Sequence, residues 1–142
     1  MGKKTLWFEL MIWGEPWALL SLLWALFLWI SGHEHRNVGA SIQFKMKRVR
    51  KDIGCVTFGV VSLFSQSQWE NDYVKKHEFG HVLQLSAWGV FMIVIDLISL
   101  STATYYGVYR KIKGKVPFYY YSTPVESNAS RLGLEWCKKH GE

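Results

Sequence analysis

Two long apolar blocks without lysine or arginine limit most strongly what this chain can fold into. The first block, residues 6–30, reads LWFELMIWGEPWALLSLLWALFLWI. As one α-helix it would be about 37 Å long, which exceeds a bilayer's hydrocarbon core of about 30 Å. Its tryptophans lie towards both ends, where such rings favour the membrane interface. The sequence therefore predicts an N-terminal transmembrane helix, with a kink or a short interfacial helix where Gly14, Glu15 and Pro16 interrupt the block.

The second block, residues 85–108, reads LSAWGVFMIVIDLISLSTATYYGV and carries one charge, Asp96. Its length permits a complete crossing, whereas its serines, threonines and glycines make it a poorer span than the first block. A re-entrant or interfacial segment, bent at Gly89 or between Ser99 and Thr102, is the alternative. An ionisable side chain in such a segment is a functional candidate, although the sequence names no partner for Asp96.

Composition and charge exclude several classes of protein. Of 142 residues, 49% are hydrophobic and 20% are charged, which is incompatible with intrinsic disorder. Cys55 and Cys137 are too few for a disulfide framework and indicate free thiols in a reducing compartment. The net charge of +6 permits nucleic acid or anionic lipid as a partner. Because the basic run KMKRVRK at residues 45–51 accompanies no recognised nucleic-acid-binding fold, we expect no nucleic acid partner.

A polar region with strand patterns lies between the blocks. Residues 39–49 alternate apolar and polar side chains, as a half-buried strand does, and residues 53–64 form a second β-rich run. Residues 51–54 are predicted to connect the two runs as a short β-hairpin. Near the carboxyl end, a short helix is predicted from Val125 to about Lys139.

The stretch YVKKHEFGHVLQ carries the strongest chemical signal. Asn71 or Asp72 can cap a helix over this stretch. On that helix His77 and His81 are four residues apart, so both imidazoles project from one face and can bind one metal ion. Glu78 lies at the edge of that face, where a carboxylate can take a proton from a metal-activated water. This is the H-E-x-x-H pattern of zinc peptidases.

A catalytic zinc needs a third protein ligand and one open position. Residues 122–133 read STPVESNASRLG, in which Glu126 and Ala129 form E-x-x-A ahead of Arg-Leu-Gly. A helix that starts near Pro124 would place Glu126 in its first turn, where a carboxylate is favourable.

Over residues 37–133 the chain resembles small membrane-bound zincin-like proteins, in which H-E-[FY]-G-H is followed by Gln, an apolar segment, a Tyr-rich stretch and E-x-x-A. The third-ligand arrangement is also similar to that of membrane metallopeptidases of the HtpX and CAAX prenyl-protease type. The resemblance implies that His77, His81 and Glu126 are ligands of Zn2+ and that Glu78 is the catalytic base. Those peptidases usually carry Asp beside the E-x-x-A alanine, where this chain has Ser130.

Other side chains are weaker candidates. His33 and His35 could supply a metal ligand, although polar residues commonly follow a membrane helix. Tyr119, Tyr120 and Tyr121 could include a donor to a tetrahedral oxyanion, against the commoner interpretation of interfacial packing.

These patterns together predict an α+β integral membrane protein. Residues 1–31 form the tail and transmembrane helix, and residues 32–142 form a zincin-like metal-binding domain that includes the apolar segment 85–108. Only 2 of the 17 Lys and Arg precede the first span, so the positive-inside rule places the amino terminus outside and the remainder in the cytoplasm. We expect the protein to lie in the inner membrane of a bacterium.

The expected function is that of a membrane-bound zinc metallopeptidase. Its expected partners are the lipid bilayer and a peptide or membrane-protein substrate, which would pair in extended form with the strand of Ile42, Phe44 and Met46 or with the following run. One alternative is a non-catalytic subunit of a membrane complex with a structural metal, in which a fourth ligand such as His33 or His35 closes the site. A second alternative is a membrane-surface module that binds acidic lipids through the basic run KMKRVRK.

Overall fold

The fold of this computed structural model is mixed α+β, mostly helical with one small sheet, and residues 2–12, 16–47 and 55–141 are described. The helices are α1 (Lys3–Ile12), α2 (Trp17–Ile30), α3 (Asp72–Trp88), α4 (Met92–Lys113) and α5 (Pro124–His140). The strands are β1 (His35–Val38), β2 (Ser41–Lys45), β3 (Cys55–Phe58) and β4 (Val61–Phe64). Short 3-10 turns occur at Gln66–Gln68, Gly89–Phe91 and Tyr120–Ser122.

The first apolar block forms two helices rather than one continuous helix, which agrees with the predicted alternative of a short helix before the main one. α1 ends at Ile12 and α2 begins at Trp17, after Pro16, while Gly14 and Glu15 lie outside the described residues. With 14 residues, α2 is about 21 Å long and shorter than a hydrocarbon core. Buried side chains of both helices join the same core as those of α3 and α5. The predicted division of the chain into an N-terminal segment, residues 1–31, and a metal-binding domain, residues 32–142, stays a prediction.

The strands form two hairpins rather than the predicted one. β1 and β2 pair antiparallel around a turn at Gly39, and β3 and β4 do so around Gly59; both glycines have positive φ, at 55° and 59°. β2 and β4 pair parallel, which gives the order β1-β2-β4-β3. Because β4 lies between the consecutive strands β2 and β3, a tight turn cannot join the two runs. The predicted connection at residues 51–54 lies outside the described residues.

Among the described residues, the helical stretch Asp72–Lys113 is long and apolar enough to cross a membrane. The stretch bends at Gly89, where φ is 57° and ψ is −128°, one of the two places at which a bend was expected. A straight helix would hold His81 and Ser99 about 27 Å apart, yet both side chains contact Glu126. α4 therefore folds back beside α3. Its 22 residues make it about 33 Å long.

Two glycines let α3 and α5 pack with their backbones in contact. A Cβ on Gly80 would lie 1.8 Å from the Ala129 carbonyl oxygen, and a Cβ on Gly133 would lie 1.9 Å from the Lys76 carbonyl oxygen. These two contacts make the helices antiparallel. Because no larger side chain fits between them, the start of α5 is held against the middle of α3, where His77 and His81 lie.

Candidate metal centre

The α3–α5 contact brings together the three predicted metal ligands. The cap predicted for α3 is present, since the Asn71 side chain accepts a hydrogen bond from the Val74 amide at 3.2 Å. His77 and His81 follow one turn apart on the face that meets α5. The Oε2 atom of Glu126 lies 2.9 Å from Nε2 of His77 and 3.2 Å from Nε2 of His81.

Each histidine is oriented through its other ring nitrogen. Gln84 donates through its amide nitrogen to the Val125 carbonyl and to Asn128, so its oxygen faces Nδ1 of His81 at 2.8 Å. A carbonyl oxygen can only accept, which places a proton on Nδ1 and turns Nε2 of His81 towards Glu126. Nε2 would lose its own proton on binding a metal. Nδ1 of His77 lies 2.7 Å from Oγ of Ser130.

Ser130 therefore supports the ring of His77 through its hydroxyl group. Its hydroxyl oxygen also accepts a hydrogen bond from Tyr73 at 2.8 Å. A partner of this kind fixes the orientation of the ring, as in many metal sites.

Hydroxyl groups hold the remaining oxygen of Glu126. Ser99 donates to Oε1 at 2.5 Å and Tyr120 donates to it at 3.2 Å, so Oε2 alone faces the histidines. Burial by itself would raise the pKa of Glu126, but the hydrogen bonds with His77 and His81 outweigh it and hold that pKa well below its ordinary value. Burial, followed by the nearby Glu126 carboxylate, raises the pKa of Tyr120, which keeps that phenol protonated as a donor.

His77, His81 and Glu126 form a group that can hold a metal ion, with ligand atoms within 4.8 Å of one another. Two imidazoles and one carboxylate suit a divalent transition metal. His77 and Glu126 are each only 1% exposed. A cavity of about 780 Å3 nevertheless reaches all three side chains.

Glu78 lines the same cavity beside the metal group. Its side chain is 6% exposed, and Oε2 accepts a hydrogen bond from the hydroxyl of Thr57. Thr57 lies on β3, whose residues 55–58 also line the cavity. An edge strand, a carboxylate and the metal group therefore share one space.

Position in the sheet decides which strand can accept an extended chain. Because β2 lies between β1 and β4, the strand of Ile42 and Phe44 has no free edge, so the following run is the remaining candidate of the two considered for pairing with a substrate. β3, in the following run, is at the edge of the sheet.

Two other candidate ligands, His33 and His35, make their contacts away from the metal group. Nδ1 of His33 donates to the Leu28 carbonyl at 3.1 Å, and the ring of His35 packs on Phe44 with centroids 5.7 Å apart. Neither histidine belongs to the metal group found among the described residues.

Of the candidate tyrosines and Asp96, some side chains line the cavity and one is exposed. Tyr120 and Tyr121 line the cavity together with Asp96, and the ring of Tyr121 lies 4.7 Å from that of His77. Tyr119 is 68% exposed.

Four residues that contact the site were missed from the sequence as supporting groups: Thr57, Gln84, Ser99 and Ser130. Two of them carry a helical spacing signal, since Gln84 follows His81 by three residues and Ser130 follows Glu126 by four. Thr57 and Ser99 reach the site only through the tertiary fold.

Comparisons with known proteins add no relative to this description. No protein family model, no curated protein and no solved structure matches the chain.

Proposed function

We propose that this chain is a membrane-bound zinc metallopeptidase. The observation that carries the proposal is the juxtaposition of three ligands, His77, His81 and Glu126, with Glu78 in one open cavity. Two histidines and a glutamate are a known ligand set of catalytic zinc. The ligand atoms of the three side chains lie within 4.8 Å of one another, which suits one shared metal ion.

Zinc, when bound, would polarise the scissile carbonyl and lower the pKa of water in its open position. Glu78 would accept a proton from the attacking water and pass it to the leaving amine as the C–N bond breaks. The Thr57 hydroxyl, which donates to Glu78 Oε2, would hold this carboxylate towards the cavity. Tyr121 lines the cavity against His77 and would supply a donor to the developing oxyanion.

Strand β3 supports an extended peptide as the substrate. Within the part of the chain that the structure describes, its outer edge pairs with no strand and presents backbone donors and acceptors to the cavity that Glu78 also lines. A peptide that adds to a sheet edge gains main-chain hydrogen bonds and alternates its side chains between two faces. We therefore place the scissile bond between β3 and the metal group.

A structural metal in a complex subunit is the alternative. That alternative expects a fourth protein ligand, and His33 and His35, the residues considered for it, make their contacts elsewhere. The open cavity above the three ligands favours catalysis.

Exposed apolar side chains support a place in the lipid bilayer. On α4, Val94, Leu97 and Ile98 are each about half exposed, and on α2 Leu23 and Phe27 are both 65% exposed. Exposure of so many large apolar groups on two helices to water is energetically unfavourable, whereas lipid accommodates them. We propose an integral protein of a bacterial inner membrane, with the metal group on the cytoplasmic side.

The experiment is a proteolysis assay on detergent-purified full-length protein, loaded with zinc and supplied with a library of internally quenched peptides. We expect cleavage by the wild type, and in Glu78→Gln a rate at least about 100-fold lower with zinc retained. Glu70→Gln removes an exposed carboxylate outside the cavity and should cleave as the wild type does. Cleavage by Glu78→Gln at the wild-type rate, or no cleavage by the zinc-loaded wild type, would contradict the proposal.

A further inference from the structure

Asp96 contributes to the cavity a carboxylate that is not part of the metal group. It lies on α4 between Ile95 and Leu97 and is half-buried. Asp96, Ser99, Ala103 and Tyr106 all line the cavity, and their spacing puts them on one face of the helix. The carboxylate therefore faces the same space as the catalytic groups.

Asp96 has no hydrogen bond or salt bridge to any part of the chain that the structure describes, although the charge of His81 acts on its carboxylate. It also lies outside the metal group, which contains His77, His81 and Glu126. A carboxylate in an apolar helix is costly unless a cation accompanies it. Within this fold the charge is left available to a molecule that enters the cavity.

The distance to the reacting position follows from the helix. Ser99 is one turn beyond Asp96 and donates to Glu126 at 2.5 Å. Side chains three residues apart on a helix are neighbours, with Cβ atoms about 5–6 Å apart. A group bound by Asp96 would therefore belong to a residue at, or next to, the scissile bond, since successive residues of an extended chain are about 3.3 Å apart.

We infer that Asp96 is a specificity-determining residue that binds a cationic group of the peptide substrate, next to the bond that is cleaved. The inference rests on the proposed peptidase function and adds the chemical class of its substrate. The cation is an ammonium or guanidinium group, which comes either from a lysine or arginine side chain or from a free α-amine. The first source makes the enzyme an endopeptidase selective for basic residues, and the second makes it an aminopeptidase.

The test uses one apolar, fluorescently labelled peptide in matched versions. In the acetylated series, one position carries Lys, Gln or Glu; a further pair has Gln at that position and differs only in a free or acetylated amino terminus. Binding is measured by fluorescence anisotropy on zinc-loaded full-length Glu78→Gln, so that it does not depend on turnover. We expect the peptide with the favoured cation to bind about tenfold more tightly than its neutral partner.

Asp96→Asn in the same background should remove this preference and keep the zinc content. Asp96→Glu should retain most of it. Asp72→Asn removes an exposed carboxylate on α3, outside the cavity, and should leave the preference unchanged.

Preference for lysine over glutamine indicates the side-chain source, and preference for the free amino terminus indicates the α-amine source. Equal binding of cationic and neutral peptides, a preference that survives Asp96→Asn, or loss of zinc from Asp96→Asn would overturn the inference. Failure of the proposed function shows separately, as absent turnover by the zinc-loaded wild type.

Discussion

Replacement of Gly80 by alanine tests the helix packing on which the metal group depends. A Cβ at this position would lie 1.8 Å from the carbonyl oxygen of Ala129, whereas real Cβ contacts below 3.0 Å essentially do not occur. The obstacle is the backbone of α5, which cannot rotate aside as a side chain would. α3 and α5 must therefore separate next to His81, and Oε2 of Glu126 must move away from both imidazoles.

The magnitude follows from two opposing effects. Overpacking of a close contact lowers the free energy of unfolding by about 1–3 kcal/mol. Because the obstacle here is backbone, we expect this effect to be about 3 kcal/mol for Gly80→Ala. Alanine regains about 1 kcal/mol through its higher helix propensity. We expect a net loss of about 2 kcal/mol in the free energy of unfolding, which is roughly a 30-fold change in the folding equilibrium.

Urea unfolding in detergent, followed by tryptophan fluorescence, measures this loss. Gly107→Ala is the matched control, because it also lies in a helix and a Cβ there would meet no atom within 4 Å. The control should gain about 0.5–1 kcal/mol. Equal unfolding midpoints for Gly80→Ala and Gly107→Ala would refute the close approach of α3 and α5.

Three further predictions concern the metal group and the topology. Ser130→Ala should weaken zinc binding about tenfold in competition with a chromophoric chelator, because Nδ1 of His77 loses its partner, while exposed Ser127→Ala should bind as the wild type does; equal affinities would contradict this role. Removal of zinc by EDTA should lower the thermal midpoint of the wild type, since a ligand bound only by the folded state stabilises it; an unchanged midpoint would contradict a native site. Single cysteines at Lys75 and Lys138, in a background without the native cysteines, should both be protected from impermeant reagents in intact cells; the antiparallel contact of α3 with α5 puts them at one end of the pair, so labelling of only one would contradict the fold.

Local signals predicted α3 and the pair of histidines on it. The Asn71 cap and the four-residue spacing act within one helix, so the fold around them does not change their meaning. The helix expected from Val125 to Lys139 is likewise present as α5. The assignment of Glu126 as a ligand depended on resemblance, and the fold brings its carboxylate to the two histidines.

Strand pairing could not be obtained in the same way. Alternation of apolar and polar residues identifies a strand but does not name its neighbour, and the parallel pairing of β2 with β4 joins segments that are distant in sequence. Glycine at 39 and at 59 was the available signal for two turns instead of one.

Long-range contacts also determine which residues support the site. Ser99 reaches Glu126 only because α4 folds back at Gly89, and Thr57 reaches Glu78 only because β3 lies beside α3. Hydroxyl side chains are common in both segments, so nothing in their local sequence marks these two. The same bend turns Asp96 from an unexplained charge in an apolar segment into a residue of the cavity.

The metal content of the purified protein tests the central claim most directly. Wild type, Glu126→Ala and Glu135→Ala would be loaded with zinc in detergent, freed of excess metal and analysed by mass spectrometry for zinc per chain. Glu135 is the matched control, because it is an exposed glutamate on the same helix α5. We predict about one zinc per chain in the wild type and in Glu135→Ala, and a strong loss in Glu126→Ala. Full occupancy of Glu126→Ala, or no zinc in the wild type, would contradict the proposed metal site.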